Sequence, residues 1–194
     1  MSALRELVGD AATTLLCAPS MSSTDGCREL LSAAGAGTTV LWVSYTRSPE
    51  ACVERYREAV DAGGNGDGPS LSVITVGDTA TETDSTAPSD VTVQTVSTAK
   101  DLTALGVMLS QTISDHEHVV LCFDSLTVLL QYVDRETAYE FLNAVTGHLY
   151  AADASAHFHL DPTAHDRRTV DALASLFDAI AEREDGEWSV RTRR

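Results

Sequence analysis

The chain has 194 residues, with 29 Asp and Glu against 13 Lys and Arg, a formal net charge of −16 at pH 7. That length fits one domain over residues 1–194 with a real core. The acid excess argues against direct contact with nucleic acid, since the one basic cluster is the short tail Arg191-Thr192-Arg193-Arg194. No apolar run approaches the ~18 residues of a membrane span, and no charged-then-apolar leader opens at Met1–Glu6. The expectation is a soluble, cytoplasmic protein without membrane contact.

In chain order, residues 1–10 read as a short helix with Leu4, Leu7 and Val8 on one face. Thr13–Cys17 is an apolar run expected as a buried strand. Ala18–Asp25 reads as a loop, with Asp25 capping a helix that starts at Gly26 and stops before Gly35-Ala36-Gly37. Thr38–Tyr45 is a continuous β-rich run, typical of a strand covered on both faces. Ser48-Pro49-Glu50 then opens a helix: cap, Pro at the first position, acid in the first turn.

Residues 61–70, rich in Gly, and residues 77–90, rich in Thr, Asp and Ser, read as flexible polar connections around a strand at 71–76. Val91–Val96 alternates apolar and polar and suits an edge strand. A helix is expected over 97–114, with Leu102, Leu105, Leu109 and Ile113 inward. The clearest strand is 118–124. A helix over 135–151 precedes a strand at 156–160. Residues 166–183 read as one helix ending near Asp185-Gly186, with a closing strand at 188–190. Strands alternating with helices imply parallel β-α-β units and a three-layer α/β/α sandwich.

The first strand, loop and helix have the frame of a phosphate-binding P-loop, G-x-x-x-x-G-K-[ST], but not its residues. Ala18 and Ser23 stand at the glycine positions, Thr24 at the lysine and Asp25 at the hydroxyl. Glycine lets backbone N–H groups approach phosphate, and lysine supplies charge. Asp25 would put a carboxylate where phosphate and metal belong. His118–Asp124 has the form of a Walker B strand, an apolar run ending in the carboxylate that holds magnesium through water.

Three segments together resemble the KaiC-like branch of the RecA superfamily of ATPases: Leu15–Ser20 leading into the loop, Val40–Glu50, and Val119–Thr127 running into an Asp-Ser-Leu turn. The resemblance covers roughly residues 13–190 and implies a mostly parallel RecA-like sheet. The family's paired catalytic glutamates would fall at Thr46 and Arg47, neither of which is a general base at neutral pH. The glycines, the lysine and the acids are missing together, which implies a pseudo-ATPase. It would bind no cofactor, have no catalytic residue, and act through a protein partner, itself or an active KaiC-like relative. The degenerate nucleotide positions are Ala18, Ser23, Thr24, Asp25 and Asp124. Two alternatives stay open: residual nucleotide binding or weak ATPase activity through Asp124, and a transcription- or signalling-associated adaptor.

Apolar residues recur after the Walker B strand, from Leu126 to Val133, and Leu130 and Tyr132 are the interface candidates; the plainer reading makes them core. Cys17, Cys27, Cys52 and Cys122 show no C-x-x-C spacing and read as small buried hydrophobes. His157 and His159 share one side of a strand and could pair on a metal with His165 or Asp161. The plainer reading is two polar residues at a strand end, and no metal is assigned. Lys100 is the only lysine, and with abundant Asp, Thr and Ala the composition resembles haloarchaeal proteins. In molar salt the Debye length is about 3 Å and such a surface scarcely repels itself.

Overall fold

The computed structural model describes residues 4–19, 23–32, 34–60, 68–77 and 91–193. Apart from residues 68–70 and 77, the two polar connections fall outside that set, as do Ser20, Met21 and Ser22 of the first loop.

Eight strands form one sheet in the order β4-β3-β2-β5-β6-β1-β7-β8. They are β1 (Thr13–Cys17), β2 (Thr39–Ser44), β3 (Ser70–Val76), β4 (Val91–Val96), β5 (Val119–Asp124), β6 (Ser155–Leu160), β7 (Ala179–Glu184) and β8 (Glu187–Thr192). All pairings are parallel except β7 with β8. One face carries α4 (Leu102–Asp115), α5 (Leu126–Tyr132), α6 (Arg135–Ala151) and α7 (Arg167–Ala174). The other carries α1 (Leu4–Val8), α2 (Ser23–Leu31) and α3 (Pro49–Val60). The result is the expected three-layer α/β/α sandwich with a mostly parallel RecA-like sheet.

Period-2 alternation sorts each central strand between the two faces. Leu41, Val43, Leu121, Phe123 and Phe158 lie under α4–α7. Val40, Trp42 and Cys122 lie under α2 and α3. The helices of the first face start on side chains that accept a backbone N–H: Asp101, Ser125, Asp134 and Asp166 do so for α4, α5, α6 and α7.

The helix expected over 97–114 starts only at Leu102, and two further elements differ in kind from the sequence reading. The apolar stretch after β5 is a helix, α5, capped by Ser125. The helix expected over 166–183 stops at Ala174, and Ala179–Glu184 is strand β7. Ala, Glu and Arg favour helix locally, and tertiary packing overrides that preference. Ala179 and Ala181 are fully buried beside Leu4 and Leu16, while Ile180 faces the opposite core. Asp185-Gly186 is therefore a hairpin turn and no helix stop. Both residues have positive φ, 50° and 86°, as a two-residue connection between right-twisted strands requires.

Candidate functional site

The carboxyl end of β1 leads toward the phosphate-loop frame. Ala18 is buried, and its N–H donates to the Leu160 carbonyl at 3.1 Å, so this amide is engaged within the sheet. Helix α2 begins at Ser23, earlier than expected, and Asp25 lies in its first turn instead of capping a helix that starts at Gly26. Asp25 is exposed and pairs with Arg183 of β7 at 2.9 Å. The guanidinium of Arg183 sits over the Trp188 ring, 5.5 Å from its centroid. Gly26 lies inside the helix because the chain packs close there: a Cβ would come within 2.7 Å of the Trp188 ring. Of Ser23 and Thr24 only the backbone is described; both open α2.

Asp124 ends β5 opposite Ser44 of β2. The Ser44 hydroxyl accepts the N–H groups of Thr46 and Arg47 at 3.3 and 2.9 Å, which folds this turn back over the strand ends. Both side chains then converge on Asp124. The Thr46 hydroxyl donates to its carboxylate at 3.4 Å, and Arg47 Nε lies 3.3 Å from the same oxygen. The Arg47–Asp124 contact is ionic, because its N–H is not aimed well enough for a hydrogen bond. These donors do not suit magnesium. A hard cation wants oxygen ligands, and the carboxylate is already faced by a permanent cation and a hydroxyl.

Behind Asp124, under α2, the two histidines that the sequence paired meet two cysteines that it kept apart from them. Cys27 comes from α2, Cys122 from β5, and His157 and His159 from β6; all four are buried, and their ligand atoms lie within 4.8 Å of one another. Cys27 Sγ is 3.2 Å from Cys122 Sγ and 3.2 Å from His157 Nε2, and Cys122 Sγ is 3.6 Å from His159 Nε2. The partners of the histidines are thus cysteines, and neither His165 nor Asp161 completes the group. Asp161 instead caps the short turn Pro162–Ala164.

The four cysteines accordingly divide. Cys17 and Cys52 behave as the expected inert hydrophobes, with burial pushing both thiols up to about 12. Burial also acts upward on Cys27, but hydrogen bonding from Cys122 and the nearby histidines outweighs it and holds this thiol well below its usual value. Burial and the Cys27 sulfur push Cys122 upward. Burial disfavours protonation of His159, yet its neighbour Cys27 raises its pKa on balance. The only sequence signal for the group was the H-x-H spacing on β6. The cysteines lie far away in sequence, and Cys122 joins because it stands opposite His157 in the β5–β6 register.

The interface candidates separate. Leu126 and Leu129 are fully buried and Leu130 is half-buried against the core under α4–α7. Tyr132 is 43% exposed and stacks on Tyr45, ring centroids 6.4 Å apart.

Fold and site together define a RecA-like α/β domain in which Asp124, at the carboxyl end of β5, is held by an arginine. By sequence the chain belongs to a family of unknown function, DUF7504, whose model matches residues 11–183. None of the curated proteins matches it. Among solved structures, PH0250 from Pyrococcus horikoshii OT3 aligns at a TM-score of 0.59 and 12% identity, over 94% of this chain and 86% of that one. The flagellar accessory protein FlaH from Methanocaldococcus jannaschii aligns at a TM-score of 0.47 and 8% identity, over 97% and 81%. Among the described residues, no helix is long and apolar enough to cross a membrane.

Proposed function

We propose that this chain is a KaiC-like pseudo-ATPase module that keeps the RecA-like sheet, does not hydrolyse ATP, and acts as a regulatory or scaffolding element through protein contacts. The observation that carries the reading is Arg47, 3.3 Å from Asp124. In a hydrolysing P-loop enzyme the carboxylate at this strand end holds magnesium, and a nearby group positions water. Here the two residues at the expected glutamate positions, Thr46 and Arg47, both engage the carboxylate. A guanidinium neutralises Asp124 permanently, coordinates nothing and accepts no proton. The engaged Ala18 amide and the Asp25–Arg183 pair support the same reading at the phosphate end.

Calorimetry with ATP and magnesium tests the reading. No binding is expected up to millimolar nucleotide; a sub-millimolar Kd would overturn it in favour of residual nucleotide binding. The acidic composition and single lysine support a protein at work in a salt-rich cytoplasm. Titrations therefore belong in concentrated KCl, and melts should show stability rising toward molar salt. The partner is a second copy or an active relative docking over Tyr132, and light scattering with and without Tyr132→Asp reads the self-association.

A further inference from the structure

We propose that Cys27, Cys122, His157 and His159 form a closed, tetrahedral zinc site that ties α2 to the sheet. Three observations converge on it. The donor set is two thiols and two imidazoles, the mixture that structural zinc takes. Three edges of the group are 3.2, 3.2 and 3.6 Å, with no pair of ligand atoms further apart than 4.8 Å. A tetrahedron with Zn–S of about 2.3 Å and Zn–N of about 2.0–2.1 Å has edges of roughly 3.4–3.8 Å, so small rotamer shifts accommodate the ion. The third observation is the setting. The group lies against Leu31, Val40 and Trp42, in a core that offers little polar compensation.

Charge explains why a metal suits that setting. A buried thiolate is costly unless paired. Two thiolates, two neutral imidazoles and one Zn²⁺ sum to zero, and the ion satisfies all four donors at once. His159 coordinates through Nε2, which leaves its ring proton on Nδ1. That nitrogen has no hydrogen-bond partner among the described residues, so the sulfur side alone orients the ring. Four protein ligands leave no open position, and the site is therefore structural and not hydrolytic.

Helix α2 needs such a tie. It has nine residues, and its described buried positions are Gly26, Cys27 and Leu31. The ligands join it to two adjacent central strands. A cleft of about 450 Å³ at the opposite strand ends is lined by Thr14, Leu30, Ala34 and His157, so one ligand of the group borders it. The alternative fate of the pair is a Cys27–Cys122 disulfide, although both thiols are free in this structure.

The test uses the full chain, purified under reducing conditions and loaded with Zn²⁺ alone, then with Co²⁺ as a spectroscopic probe. The expected result is one zinc per chain. Cobalt should give the intense visible bands of a tetrahedral site together with thiolate-to-metal charge transfer in the near ultraviolet. Cys27→Ser and His159→Ala should each lose the zinc and the charge-transfer intensity, whereas Cys52→Ser should keep both. A chelator should lower the Tm of the loaded wild type by on the order of 10 °C and leave Cys27→Ser unmoved. Absence of zinc above background in the wild type, with no tetrahedral cobalt spectrum, overturns the proposal. Recovery of a Cys27–Cys122 disulfide from protein kept reduced overturns it too. Should the variants fail to fold, the wild-type cobalt spectrum decides alone.

Discussion

The two faces of the sheet are built on opposite plans. Under α4–α7 the core is mainly apolar, and Phe158 stacks on Phe123 and tilts against Phe177, with centroids 5.6 and 4.9 Å apart. Under α2 and α3 the buried layer holds a cysteine–histidine group, and Asp124 with Arg47 sits at its edge. Dispersion and area burial need close packing but no directional partner, so the first face stabilises the fold by volume and shape alone. Buried polar and ionic groups contribute only when every partner is in place, which makes the second face the more sensitive to single substitutions.

The largest break in that comparison should come from the apolar face. Phe158→Ala removes a fully buried ring between two others. It should cost about 3–5 kcal/mol in urea unfolding, enough to threaten the fold. A loss below about 1 kcal/mol would show that the face repacks freely and that its stacking is incidental.

Next in size is Arg47→Met. The Asp124 side chain is 12% exposed, so removing its cation strands a charge and should cost about 1–3 kcal/mol. Adding Asp124→Asn should recover most of the loss, as a double-mutant cycle would show. Additive losses would mean that the pair is not coupled, and would weaken the pseudo-ATPase reading with it.

Smaller still is the effect of Tyr132→Asp on stability, expected at about 0.5–1 kcal/mol because the residue is 43% exposed and loses only its stacking on Tyr45. Its effect on assembly should be large. Leu130→Asp is the sharpening control: half-buried against the core, it should unfold the protein before it reports on any interface. If Tyr132→Asp leaves light scattering unchanged, the partner surface lies elsewhere.

The smallest effect concerns helix caps. The carboxyls of Asp134 and Asp166 titrate below their usual value of 3.8 because each accepts a backbone N–H, from Thr137 and Thr169 respectively. A depressed folded pKa means that protonation favours the unfolded chain. Their contribution is complete above that usual value and is lost as pH falls through the lower folded values. The acid limb of a pH series of urea midpoints should therefore be shallower in the Asp134→Asn, Asp166→Asn variant. An unchanged limb would remove the caps from the account of the apolar face.

Much of the architecture was legible because periodicity is local. The alternation at Val91–Val96 marked an edge strand, and the Ser48-Pro49-Glu50 start was readable without tertiary information. Ala179–Glu184 was not, because its helix-favouring side chains are overruled by the small space beneath Leu4 and Leu16. The candidate site was half legible. Asp124 stood out as a carboxylate closing an apolar run, but nothing nearby in sequence announced that Arg47 would face it.

By itself, then, the sequence determined the alternating elements, the acid excess, and a first loop that lacks the glycines and lysine of a phosphate-binding motif. These follow from residue type and short-range spacing, which a single chain displays directly. Only the tertiary structure decided that Cys27, Cys122, His157 and His159 would meet. Their meeting depends on β5 lying beside β6 in one particular register and on α2 crossing above both, and register over such separations leaves no local mark in the sequence.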